Sequence, residues 1–177
     1  SIAYTFGTAS RRAEVGVTIG KRSSILTSLN DDLLNSRSLG EVREILYKSS
    51  FDGQEIQGWY ITPPNFKEDQ KYPLILEIHG GPHSAYGPYF SAEMQLMAAA
   101  GYIVFYNNYR GSTSYGEEFG NLLYHNYPGE DYNDVMDGVD IIISKGYIDE
   151  KNLFVTGGSA GGIMTAWIIG KTNRFRA

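Results

Sequence analysis

The sequence contains no cysteine among its 177 residues. That excludes a disulfide framework, a thiol nucleophile and any thiolate metal centre, and it leaves the compartment open. Histidine is almost as scarce, with three residues at positions 79, 83 and 125. None has a carboxylate partner at ligand spacing, so neither a metal nor any other cofactor is expected. No apolar run approaches the ~18 residues of a membrane span, and no basic-then-apolar leader opens the chain. Charge is not extreme in either sense: 15 Lys and Arg against 20 Asp and Glu give a net charge of -5. This argues against non-specific nucleic-acid binding. The chain opens at Ser1 rather than Met, which leaves room for a leader or an upstream domain. A cytoplasmic or a periplasmic location fits such a truncation point.

What is present reads as a globular protein. Hydrophobic residues make up 42% and charged residues 20% of the chain, and a chain of this size buries roughly two thirds of its unfolded surface. Residues 13–19 and 23–29 are short β-type runs around Gly20-Lys21, which predicts a hairpin that needs a sheet partner. Residues 30–38, rich in Asn, Asp and Ser, read as a linker. Residues 42–49 and 55–62 flank Asp52-Gly53, a second hairpin signal. Residues 72–79 form a continuous apolar run ending at Gly80-Gly81-Pro82, as a buried central strand would. Helical spacing over 90–100, 131–145 and 160–170 then alternates with strand-like runs at 102–107 and 152–156. Such alternation predicts an α/β fold with a mostly parallel sheet and helices on both faces.

The chemistry concentrates at Gly157-Gly158-Ser159-Ala160-Gly161, which has the form strand, G-x-S-x-G, helix. In that setting the serine sits on a sharp turn with its hydroxyl presented at the strand's carboxyl end. The rival reading, an exposed N-cap serine in a glycine-rich turn, is disfavoured by the strand–helix context. His79-Gly80-Gly81-Pro82 closes the preceding central strand, where a hydrolase of this kind needs a second backbone N–H for an oxyanion. The N–H groups of Gly81 and Ala160 are the candidates. His79 precedes the serine and lies at a strand end, so shaping the loop suits it better than acting as general base. His83 and His125 read as surface residues. In Asn107-Asn108-Tyr109-Arg110-Gly111-Ser112 and Ser114-Tyr115-Gly116, Arg110 suits an ion pair in a solvated loop. Tyr109, Arg110 and Tyr115 are equally candidates for the rim of a site. Asp131, Asp134 and Asp137 at a helix start suit capping and salt bridging.

Together, His79-Gly80-Gly81-Pro82, Asn108 to Ser112, Tyr115-Gly116 and Gly157 to Gly162 resemble the catalytic α/β-hydrolase domain of the prolyl oligopeptidase family. The acylaminoacyl peptidase and dipeptidyl aminopeptidase-like branches are the most similar. Order and spacing agree over residues 39–177, while residues 1–38 resemble the last strands of the β-propeller that precedes that domain. The resemblance implies Ser159 as nucleophile, with the amides of Gly81 and Ala160 as oxyanion hole. It implies a peptide substrate, and an Asp and a His supplied by further polypeptide of the same enzyme, beyond the serine. Ala160 departs from the tyrosine common after the family's nucleophile and matches the G-x-S-A-G of lipase-like esterases. Pro82 stands where those esterases usually have a third glycine.

The expectation is a serine peptidase acting on short peptides through an acyl-enzyme at Ser159. The rivals are a carboxylesterase of the same fold and a non-catalytic fragment that associates with a complementary chain. Without the acid and the histidine, these 177 residues are expected to be inactive alone.

Overall fold

A computed structural model describes residues 1–177. The chain forms a three-stranded and a five-stranded sheet. The first contains β1 (Ile2–Thr8), β2 (Arg11–Ile19) and β3 (Arg22–Ile25), in that order and antiparallel throughout. The predicted hairpin is β2–β3, and β1 is the partner it needed. Glu14 of β2 is buried, and its carboxylate accepts hydrogen bonds from the Thr27 hydroxyl and, at 3.0 Å, from the Leu29 N–H. The Thr27 bond is the main cause that holds this carboxyl below its ordinary pKa. Within the stretch read as a linker, Asp31–Leu34 makes a single helical turn, α1.

The second sheet is built from β4 (Val42–Lys48), β5 (Glu55–Ile61), β6 (Tyr72–Ile78), β7 (Ile103–Asn108) and β8 (Ile148–Gly157), in the spatial order β4-β5-β7-β6-β8. β5 alone runs against the others: it is antiparallel to β4 and β7, whereas β6 is parallel to β7 and β8. The helices are α2 (Ala92–Ala99), α3 (Glu117–Gly120, followed by a 3-10 turn at Asn121–Leu123), α4 (Asp131–Ser144) and α5 (Ala160–Lys171). None is long and apolar enough to cross a membrane.

Period-2 alternation explains the layers. All six residues of β7 are buried. Ile103 and Phe105 face a core shared with Val135, Val139 and Ile142 of α4 and Met164 and Ile168 of α5. Val104 and Tyr106 face the opposite side, packing with Met94 and Ala98 of α2. A strand covered on both faces must be apolar at every position, as this one is up to its Asn107-Asn108 end.

Where the chain enters the five-stranded sheet, the Gly40 N–H donates to Gln95 Oε1 at 2.8 Å, and Gln95 Nε2 donates to the Gly40 carbonyl at 3.1 Å. At the other margin lies the outer edge of β8. Part of that edge is occupied: the Arg176 N–H donates to the Leu153 carbonyl at 2.8 Å, and the Val155 N–H to that of Ala177 at 3.0 Å.

Candidate active site

β8 turns into α5 through Gly157-Gly158-Ser159, and Ser159 has φ 56° and ψ -119°. A side chain at such a backbone position costs on the order of 1–3 kcal/mol and persists only where its surroundings hold it. Close packing supplies that hold. A Cβ at Gly161 would lie 2.0 Å from the Ile78 carbonyl oxygen, and one at Gly157 would lie 2.7 Å from both that oxygen and the Gly161 backbone. Only glycine lets β6, β8 and α5 meet this closely. Ser159 occupies the N-cap position, yet its hydroxyl takes no capping bond and the residue is exposed. An ordinary N-cap serine has extended dihedrals and accepts from the helix's first N–H groups. Capping therefore does not account for this residue.

The loop after β6 lies directly against the turn. A Cβ at Gly80 would be 3.1 Å from Ser159 Cβ and 3.7 Å from its Oγ. Gly81 follows at φ +123°, and its N–H donates to no other protein atom. The Ala160 N–H is likewise free, at the first position of α5, where the helix dipole adds positive partial charge. The structure thus brings together Ser159, Gly81 and Ala160, an exposed hydroxyl beside two unengaged amides.

His79 is committed elsewhere. Its Nδ1 donates to the Gly80 carbonyl at 2.7 Å and its Nε2 lies 2.9 Å from Ser112 Oγ. The ring stacks on Tyr109 at 4.4 Å, and burial pushes its pKa below the ordinary value. It shapes the loop, and no histidine is hydrogen-bonded to Ser159. His83 and His125 are exposed.

The segment after β7 corrects the reading of a rim. Tyr109 is fully buried and Arg110 only 3% exposed, so neither lines an open surface. They underpin the loop instead. The Tyr109 hydroxyl donates to the His79 carbonyl at 2.9 Å, and the Asn108 side chain binds both the N–H and the carbonyl of Tyr86, at 2.7 and 2.9 Å. The Thr113 N–H donates to the Ser84 carbonyl at 2.9 Å. Tyr115 stays part-exposed, its hydroxyl accepting from Asn108 and donating to Gln57. Arg110 takes its ion-pair reading, buried rather than solvated. Nε and Nη2 grip the Asp134 carboxylate at 2.8 and 2.9 Å, and Nη1 and Nη2 each reach Asp52 at 3.0 Å. Arg110's bonds are the chief reason the Asp52 carboxyl lies below its ordinary pKa.

Of the other acidic residues, Asp137 accepts from the Ser50 N–H at 2.6 Å. Asp131 is fully buried; Oδ1 accepts from the Gly129 N–H at 2.6 Å while Oδ2 has no partner. Burial pushes its pKa up to about 6, with the Asp134 charge adding to it. No motif announces Tyr127, whose hydroxyl donates to the Ala160 carbonyl across 33 residues of chain.

The family model of the prolyl oligopeptidase family matches residues 88–177, from the loop before α2 through the nucleophile turn to the last residue. The chain belongs to the prolyl oligopeptidase family. A second model, that of acetyl xylan esterase, matches residues 35–129. An uncharacterized peptidase of Bacillus subtilis, YuxL, is 46% identical over 162 residues, covering 91% of this chain and 24% of its own length. An acylaminoacyl peptidase structure from Pyrococcus horikoshii superposes with a TM-score of 0.90 at 36% identity, over 98% of this chain and 28% of that one. An acylaminoacyl peptidase in complex with Z-Gly-Gly-Phe-chloromethyl ketone gives 0.91, again at 36% identity over 98% of this chain and 28% of that one. The chain spans about a quarter of the length of these relatives. The architecture is that of their α/β-hydrolase domain.

Proposed function

We propose that these residues are the nucleophile-bearing part of a serine peptidase that cleaves short peptides through an acyl-enzyme at Ser159. The observation that carries this reading is the strained, uncapped and exposed Ser159 beside two free N–H groups. Ser159 Oγ attacks the scissile carbonyl carbon as its proton passes to a histidine, which the family resemblance implies beyond the serine. The amides of Gly81 and Ala160 stabilise the oxyanion. The C–N bond then breaks, the amine leaves with that proton, and water releases the acyl group by the same route in reverse. The three-stranded sheet supports residues 1–38 as the end of a propeller-like domain that screens substrates by size, with the hydrolase part beginning at residue 39.

A carboxylesterase is the second reading, favoured by the acetyl xylan esterase match and by Ala160 after the serine. One set of assays on the full-length enzyme separates them. A fluorophosphonate probe should label Ser159 alone, and Ser159→Ala should abolish labelling and remove up to ~10⁶ of turnover. Since a relative is bound by a blocked Gly-Gly-Phe compound, a blocked Gly-Gly-Phe anilide is the first substrate to try. Anilide turnover supports the peptidase. Turnover of acetyl esters without any of the anilide overturns it in favour of the esterase, and labelling that survives Ser159→Ala overturns the nucleophile.

A further inference from the structure

The two backbone limbs that flank Ser159 are each held from beneath by one tyrosine hydroxyl. On the loop limb, Tyr109 donates to the His79 carbonyl at 2.9 Å, two residues before Gly81. On the helix limb, Tyr127 donates to the Ala160 carbonyl. The limbs touch where these bonds fall: a Cβ at Gly161, next to Ala160, would lie 3.0 Å from the same His79 oxygen. Tyr127 and Asp131 both push the Tyr109 phenol upward, and Asp131 does the same to Tyr127. Burial pushes the Tyr127 phenol up to about 12 and the Tyr109 phenol higher still, so both are protonated donors throughout the working pH range.

The Tyr109 hydroxyl is the one donor that satisfies the His79 carbonyl, whereas the Ala160 carbonyl does not depend on its tyrosine. The Ala160 carbonyl belongs to the first turn of α5 and has the ordinary helical acceptor role, so the Tyr127 bond is additional and directional. The His79 carbonyl ends β6, at the point where the strand must release the chain into the Gly80-Gly81 turn. A hydroxyl fixed by a buried, stacked ring sets where that turn begins. Gly81 has no side chain with which to lock its own peptide, and Ala160 has only a methyl. The peptides that carry these N–H groups have their own carbonyls, of Gly80 and Ser159, held by His79 Nδ1 and by the Ile163 N–H, and the tyrosines fix the adjoining peptide on each limb.

We propose that Tyr109 and Tyr127 are a pair of positioning residues, one on each limb, that aim the Gly81 and Ala160 amides at the developing oxyanion. Neither touches the substrate. The inference rests on the acyl-enzyme reading of Ser159. Preorganised donors act chiefly on the transition state, where misplacement by an ångström can cost up to ~10²-fold. Loss of either hydroxyl should thus lower kcat and leave KM nearly unchanged.

The test uses full-length enzyme with Tyr127→Phe and Tyr109→Phe, each deleting one oxygen. The active fraction is titrated with the fluorophosphonate probe, so rates refer to labelled sites only. Turnover of a blocked Gly-Gly-Phe anilide should fall about tenfold with KM changed less than about twofold. The inhibition constant of the corresponding peptide aldehyde, whose hemiacetal places an oxyanion between the two amides, should rise by the same factor as kcat falls. A purely structural hydroxyl would change the titrated fraction or the melting temperature and leave kcat per site and aldehyde affinity alone. Because Tyr109 is fully buried, Tyr127→Phe decides the matter by itself if the Tyr109 variant does not fold. Unaltered kcat per site in Tyr127→Phe, a loss confined to KM, or an unaltered aldehyde constant overturns the pair. Wild-type enzyme unlabelled at Ser159 overturns the acyl-enzyme reading, and this inference with it.

Discussion

Two residues near the site carry predictions of their own. Gly81 has φ +123°, and a Cβ on it would lie 2.6 Å from the His83 nitrogen. Gly81→Ala must rotate its peptide out of that conformation and take the amide with it. In the full-length enzyme we expect turnover to fall by ~10²–10³ with a smaller change in KM, since the lost donor acts in the transition state. A loss seen only in KM would assign the donor to another group. Asp131 makes a different statement, about pH. Its folded pKa of about 6 lies above the ordinary 3.8, so its protonated form is favoured by folding. That contribution is complete below pH ~4 and is lost as pH rises through about 6. Above that the buried charge costs roughly 2–3 kcal/mol. Asp131→Asn keeps an acceptor for the Gly129 N–H and removes the charge. The stability difference between variant and wild type should therefore move in the variant's favour by roughly 2–3 kcal/mol between pH 4 and pH 7.5, as read by denaturant unfolding. A difference independent of pH would show that Asp131 is solvated or paired.

Between elements, the main polar tie is Arg110. From the end of β7 it joins Asp134 on α4 to Asp52 in the β4–β5 turn, with its guanidinium 5.1 Å from the centre of the Phe51 ring. Removing one partner of a buried pair strands the other's charge, and Asp134 is fully buried. Arg110→Ala should cost about 3–5 kcal/mol. Arg110→Lys should recover little, because a lysine cannot reproduce two forked contacts. Near-wild-type unfolding of Arg110→Ala would show that water reaches Asp134. This tie also marks where sequence reading stops. Strands β5 to β8, the long helices and the Ser159 turn follow from local period, Gly-Pro punctuation and one motif, all of which act over a few residues. Arg110 and Asp134 are 24 residues apart and Tyr127 and Ala160 are 33 apart, so nothing local announces either pair. The same holds for Tyr109. Its polarity and loop position suggested a rim, whereas tertiary packing buries it beneath that loop.

For the molecule as a whole, we predict catalytic silence of these 177 residues by themselves. His79 is bound to Gly80 and Ser112, and no histidine is hydrogen-bonded to Ser159. Without a base the serine keeps its proton at neutral pH. Apolar groups are also left open, with Ile163 at 54% and Ile169 at 56% exposure on α5, and a groove of about 290 Å³ between Ile75, Met97, Tyr102 and Phe154. Surfaces of this kind favour association. The isolated chain should hydrolyse neither an activated ester nor a peptide anilide, and should elute in size-exclusion chromatography as larger than one 19.7 kDa chain. A monodisperse monomer whose esterase activity disappears in Ser159→Ala would mean that a histidine within this chain serves as base.

The paired bonds between Gln95 and Gly40 fix where this protein can bend. A Cβ at Gly40 would lie 2.2 Å from the Thr62 carbonyl oxygen, so its peptide is wedged as well as doubly bonded. Some ten residues earlier, Glu14 holds Thr27 and Leu29 to the three-stranded sheet. Neither anchorage can act as a swivel. Any rocking of one sheet against the other is confined to the short strap over residues 30–39, whose chief tether is the solvent-exposed Arg11–Asp31 ion pair at 2.7 Å. Amide exchange should therefore be fast over residues 32–38 and slow at Leu29 and Gly40, and protease nicking should concentrate on the strap. Proline substitutions there would stiffen the pivot without touching either sheet.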